Sequence, residues 1–143
     1  MTQQEIKPRH VTSEQAKLLK GKGFNVECLC FYCINTTCNY IDKPYKYSFE
    51  VNANQENFVN GKLDNFGYGE TYSAPEQWQV VEWLRVNHGI WIFVERGKNL
   101  DLFYPVIDTQ EKIISFKYLP LMWGNSPQEA YSAAFNYTLK NLL

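Results

Sequence analysis

Apolar and polar positions along the chain fall into short blocks of contrasting period. In residues 45–51, Tyr45, Tyr47, Phe49 and Val51 alternate with Lys46, Ser48 and Glu50, the period-two signature of a half-buried strand. Residues 26–34 are apolar on both faces and also read as a strand. The turn-rich NTTCN that follows predicts a hairpin between the two. Ile90, Ile92 and Val94 alternate with Trp91, Phe93 and Glu95, a strand covered on two sides near its start. GKN and DTQEK then turn the chain into LDLFYPVI and IISFKYL, so residues 90–119 predict a three-stranded antiparallel meander. Pro105 has no amide to donate, which places it at an edge or a bulge.

Three helices carry start signals. Thr12 and Gln15 form a capping box ahead of SEQAKLLK, and Gly21 and Gly23 stop that helix. Ser73 and Glu76 form a second box, with Pro75 in the first turn of a helix that ends at Gly89. Val80, Val81 and Leu84 make its buried stripe. Ser126, Pro127 and Glu129 open the last helix. Its flat stripe of Ala130, Ala133, Ala134 and Tyr137 is widened by Tyr131, Phe135, Leu139 and Leu142. A helix apolar around so much of its circumference is sandwiched or lies at a subunit interface.

The order α-β-β-loop-α-β-β-β-α predicts one α+β domain over residues 1–143, an antiparallel sheet of about five strands packed with three helices. Residues 1–11 read as a loose N-terminal arm. Residues 52–72, rich in Asn and Gly with scattered aromatics, read as a long loop: functional, a surface excursion, or the cover for a further strand.

Composition narrows the function. A net charge of −1 argues against sequence-independent nucleic-acid binding, which leaves a basic footprint. No apolar run reaches the length of a membrane helix, and MTQQEIKPRHVTSEQ lacks the apolar core of a signal peptide. The expectation is a cytoplasmic protein with no membrane partner. Aromatics reach 16%, with ten Tyr, nine Phe and four Trp, which points toward packing or binding surfaces rather than charge chemistry.

All four cysteines, Cys28, Cys30, Cys33 and Cys38, sit in ECLCFYCINTTC. Zinc sites usually pair two short knuckles across a longer linker, and a strand would point Cys33 away from Cys28 and Cys30. Reduced, partly buried cysteines are therefore expected, without metal or disulfide; a metal or a redox role is the sharper alternative. Phosphate-loop, nucleophile-elbow and zincin motifs are absent from the sequence, and the two histidines, His10 and His88, lie apart. The chain reads as a non-enzyme with no cofactor.

The binding argument rests on the meander. Trp91, Phe93, Phe103, Tyr104, Phe116 and Tyr118 occur there beside Arg96, Lys98 and Lys117. Rings stack on planar ligands and cations hold anionic groups, so Trp91, Arg96, Tyr104, Lys117 and Trp123 are the candidate ligand-binding set. Core packing or an oligomer interface is the competing role for these aromatics, and loop anchoring for Trp123.

SAPEQWQVVEWLRVNHGIWIFVE, the short aromatic meander after it, SPQEAYSAAFNYTLKNLL and AKLLKGKGF carry a resemblance that covers about two-thirds of the chain. This pattern of a YSAP-like helix start, a W-L-R helix running into an I-x-I strand, and a last helix with a Glu-Ala pair resembles a family of small phage and prophage proteins of gut bacteria. The resemblance implies a phage-encoded accessory protein in a bacterial host cytoplasm, and carries no activity or functional residue with it. The reading that follows is a non-enzymatic binding protein, in the phage setting an anti-defence protein that sequesters a nucleotide immune signal or blocks a host protein. A structural or protein-interaction module without a small ligand is the alternative, and a small nuclease or phosphodiesterase is disfavoured. The widely apolar last helix and the meander, apolar on both faces, predict self-association, as a homodimer.

Overall fold

The computed structural model describes residues 9–34, 45–46, 70–98 and 101–143. The first helix, α1 (Ser13–Gly21), starts where its capping box predicts. Thr12 Oγ1 accepts from the Gln15 amide at 3.2 Å, and Gln15 Oε1 accepts from the Thr12 amide at 3.1 Å. Gly23, at φ 85°, takes the left-handed conformation that turns the chain out of the helix. The segment before α1 is docked from Arg9 onward. The Val11 amide donates to Pro75 O and the Gln77 amide to Arg9 O, and Val11 is buried. Residues 1–8 lie outside the described residues.

Strands β1 (Cys30–Ile34) and β2 (Tyr45–Lys46) form the expected hairpin, with Phe31 opposite Tyr45. Residues 47–51 of the alternating run lie outside the described residues. A further strand, β3 (Glu70–Ser73), pairs with the other edge of β1 from Phe31↔Ser73 to Ile34↔Glu70. It takes up the end of the stretch read as a loop; residues 52–69 are not described. This strand also moves the start of the second helix, α2 (Gln77–His88). Ser73 is the last residue of β3, and the Ala74 amide bonds to Cys30 O at 2.9 Å. The chain therefore stays extended through Pro75, and Glu76, not Ser73, is the N-cap. Gln79 Oε1 accepts from the Glu76 amide at 2.9 Å, a capping box displaced by three residues. Gly89, at φ 64°, closes α2 as predicted.

The meander follows as β4 (Trp91–Arg96), β5 (Phe103–Asp108) and β6 (Ile113–Ser115), antiparallel throughout. A 3₁₀ turn at Pro120–Met122 leads to α3 (Pro127–Asn141), where Ser126 Oγ accepts from the Glu129 amide at 3.2 Å. The class is α+β, with two three-stranded antiparallel sheets ordered β2-β1-β3 and β4-β5-β6.

One core joins them. α3 lies on β4 and β5 and is met by α1 and α2. Ala130 and Ala134, both fully buried, keep that approach close, while Phe135 and Leu139 fill the space beside them. Burial of a Phe or Leu side chain is worth about 1.5–3 kcal/mol. The wide apolar circumference of α3 is thus used inside the domain. Among the described residues no helix is long and apolar enough to cross a membrane.

Candidate functional site

Residues directly opposite in an antiparallel ladder share a face. The register Trp91↔Asp108, Phe93↔Val106 and Glu95↔Tyr104, continued by Val106↔Ser115 and Asp108↔Ile113, gathers these residues on one side of the second sheet. Ile92, Ile107 and Ile114 are on the other side and belong to or pack against the core under α3. The first side is open: Trp91 is 42% exposed, Phe93 47% and Ile113 70%.

Trp91 and Phe93, two residues apart on β4, lie with their rings 10° from parallel and their centroids 6.4 Å apart. At the far end of the same face Tyr104 is buried, its hydroxyl donating to Glu95 Oε2 at 2.5 Å. That hydrogen bond holds the phenol above its ordinary pKa, with desolvation adding to it. The Trp123 ring stacks on Tyr104 with centroids 5.5 Å apart, and its Nε1 donates to Phe116 O at 2.9 Å. Gly97 permits this: a Cβ there would stand 3.3 Å from the Trp123 ring. Trp123 is the anchor of its loop, and it roofs Tyr104.

Of the five residues expected to form a ligand site, three share this side of the sheet and two do not converge with them. Trp91 and Tyr104 are separated by four strand positions, roughly 13 Å at 3.3 Å per residue, and the Tyr104 ring already faces Trp123. Arg96 has the opposite strand parity and donates to Asp101 Oδ1 at 2.7 Å. Lys117, in the turn after β6, holds its ammonium 5.6 Å from the Tyr118 ring centroid. Neither of these two cations therefore stands beside Trp91; the guanidinium on that ring is Arg85's, 5.2 Å from its centroid. Phe93 and Ile113, passed over as ligand contacts, complete the exposed face; the i, i+2 spacing of Trp91 and Phe93 was the signal for the first of them.

Burial pushes the Cys28 thiol up to about 12, and Cys30 is half-buried. The Cys33 side chain and Cys38 lie outside the described residues. Among the described residues no three His, Cys, Asp or Glu side chains are placed to hold a metal. No family model matches the chain, and no curated protein or solved structure matches it either.

Proposed function

We propose that the protein is a non-enzymatic protein-interaction module that assembles with a second copy of itself through the open face of β4–β5–β6. The observation that carries this reading is the exposed, parallel pair Trp91 and Phe93 on that face. With Ile113, 70% exposed on the same face, they present roughly 300 Å² of apolar surface. A standard interface takes about 800 Å² from each partner, of which somewhat over half is apolar. The face thus supplies the larger part of the apolar share of a dimer contact. It is an open sheet surface, unlike the concave pocket of a small-molecule site. This favours the interaction module over sequestration of a nucleotide. In the phage setting that the sequence resemblance implies, the dimer would act by blocking a host protein.

Light scattering of the full chain tests this. The wild type should be a dimer at micromolar concentration. The double variant Trp91→Ser, Phe93→Ser should be a monomer with an unchanged far-ultraviolet circular dichroism spectrum. A monomeric wild type, or a double variant that remains dimeric, defeats the proposal.

A further inference from the structure

A knob of apolar side chains stands on the turn between β6 and α3. Tyr118 is 88% exposed and Leu121 92%, with Leu119 exposed between them. The turn that carries them is closed by its own backbone. The Leu119 amide donates to Phe116 O at 3.1 Å, the Met122 amide to Leu119 O at 3.0 Å and the Trp123 amide to Pro120 O at 3.0 Å. Pro120 brings no amide to satisfy. Trp123 pins the base, its Nε1 donating to Phe116 O and its ring stacked on Tyr104. A turn held in this way presents Leu121 with little backbone freedom left to lose on docking.

A hollow of about 230 Å³ lies on α2, walled by Val26, Trp83 and Val86 beside the exposed indole of Trp78. It is smaller than the roughly 300–1,000 Å³ of a small-molecule site and suits one side chain. Its polar lining residues are engaged within the chain. Gln79 Oε1 accepts from the Glu76 amide and its Nε2 donates to Glu27 O. Glu82 holds Arg85 at 2.6 Å, and Asn87 Nδ2 donates to Trp83 O at 3.2 Å. What the hollow offers a guest is therefore apolar contact, and a leucine meets it in size and chemistry. Leu121, Trp78 and Val86 are all exposed in the same chain, so the knob does not cover the hollow of its own copy.

The areas also match. Tyr118, Leu119 and Leu121 expose roughly 400 Å² of apolar surface, and Trp78, Val86 and, past Trp78, Leu29 expose roughly 300 Å². A standard interface takes about 800 Å² from each partner, somewhat over half of it apolar, so the two patches supply most of that share.

We propose that Leu121 of one copy seats in the hollow of Val26, Trp83 and Val86 on a second copy, with Tyr118 and Leu119 closing over Trp78. The contact joins two different surfaces. It leaves a knob unused at one end and a hollow at the other, so the assembly grows by addition. A two-fold contact makes each of its interactions twice and this one makes them once. It is therefore the weaker of the two, and adds to the β4–β5–β6 dimer above micromolar concentration. It uses no residue of that face and stands whether or not the face pairs.

The test mixes two variants, each in a Trp91→Ser, Phe93→Ser background that keeps the sheet face out of the readout. Leu121→Glu spoils the knob and Val86→Glu the hollow. Both positions are exposed, so the far-ultraviolet circular dichroism spectrum should not change. The background chain itself should show a weight-average mass, by sedimentation equilibrium, that climbs past two chains with concentration. Each variant alone should stay a monomer over the same range, because a glutamate at the contact should weaken it about tenfold or more. In an equal mixture the intact knob of the Val86→Glu chain meets the intact hollow of the Leu121→Glu chain. The mass should then rise to two chains and stop, since the other contact would set one glutamate against the other. A mixture that stays monomeric, as it would if the hollow or the knob serves a different partner, overturns the proposal. So does a Leu121→Glu chain that still associates with itself.

Discussion

The guanidinium carbon of Arg85 on α2 lies 5.2 Å from the centroid of the Trp91 ring on β4. The same guanidinium donates to Glu82 Oε2 through Nη2 at 2.6 Å and Nε at 3.1 Å. One carboxylate thus orients the cation that lies on one part of a still half-exposed indole. Gly89 makes the contact possible, because its left-handed turn folds β4 back from the end of α2. Arg85→Ala should cost about 0.5–1 kcal/mol, since cation–π and surface ion-pair contributions are both modest at half-exposed positions. The urea midpoint reads this directly, and the loss should shrink as salt is added. Arg85→Lys should recover only part of it, because an ammonium lacks the planar stacking surface.

A larger loss is expected at Gln15. Its side chain is fully buried. Its Nε2 donates to Ser132 O and Ser132 Oγ at 2.9 Å and to Asn136 Oδ1 at 3.1 Å, while Oε1 accepts from the Thr12 amide. Gln15→Leu removes the reciprocal half of the capping box and leaves the Asn136 oxygen without this donor, which should cost about 2–3 kcal/mol in chemical denaturation. A loss below about 0.5 kcal/mol, the range of neutral surface changes, would show that water replaces the amide.

Gln15 also marks the limit of what sequence reading reaches. The capping box is a local pattern of four residues, and it was legible. The bond from Gln15 to a helix more than a hundred residues later is tertiary, and nothing near Gln15 encodes it. The same division holds elsewhere. The alternation in β4 and the turn residues after it specify the meander, so both appear in the structure. Glu70–Ser73 has too short a pattern to declare itself, and becomes a strand because β1 offers a free edge. That pairing also displaces the helix start from Ser73 to Glu76. For the candidate site, alternation along β4 put Trp91 and Phe93 on one face, but whether Tyr104 on β5 shares it is set by the register between the two strands, which local pattern does not carry. The capture of Arg96 by Asp101 and the roofing of Tyr104 by Trp123 depend on loop geometry, which local pattern does not determine.

Two glycines should respond in opposite ways to alanine. At Gly124 a Cβ would stand 2.4 Å from Glu129 Cβ and 2.9 Å from the Ala130 amide nitrogen. Those atoms belong to the first turn of α3, and Gly124 exchanges hydrogen bonds with Phe103, so neither side can yield freely. Gly124→Ala should destabilise by about 1–3 kcal/mol. At Gly21, the last residue of α1, nothing lies within 4 Å of the added atom. Gly21→Ala should stabilise by about 0.4–1 kcal/mol, by restricting the unfolded chain and improving helix propensity. Thermal melts of the two variants should shift in opposite directions.

The alkaline limb of stability should carry the signature of Cys28. Burial raises its thiol from 9.0 to about 12, with Cys30 and Glu76 adding a smaller electrostatic push against ionisation. The hydrogen bond with Ser73 opposes that rise without cancelling it. A folded-state value above the unfolded one means that the unfolded chain releases the proton first as pH rises. The contribution of Cys28 is therefore fully present below pH 9, and it is lost progressively as pH climbs from 9 toward about 12. Tyr104 acts in the same sense above its ordinary value of 10.0, through its hydrogen bond to Glu95. The two are separable by mutation. In urea denaturation followed from neutral to alkaline pH, Cys28→Ala should flatten the decline that begins near pH 9, while Tyr104→Phe should flatten only the part that begins near pH 10. Thiol labelling gives an independent check. The thiolate is the reactive form, so native Cys28 should resist alkylation at neutral pH and react once the chain is unfolded. Labelling of native Cys28 as fast as in the unfolded chain would contradict the burial that sets this limb.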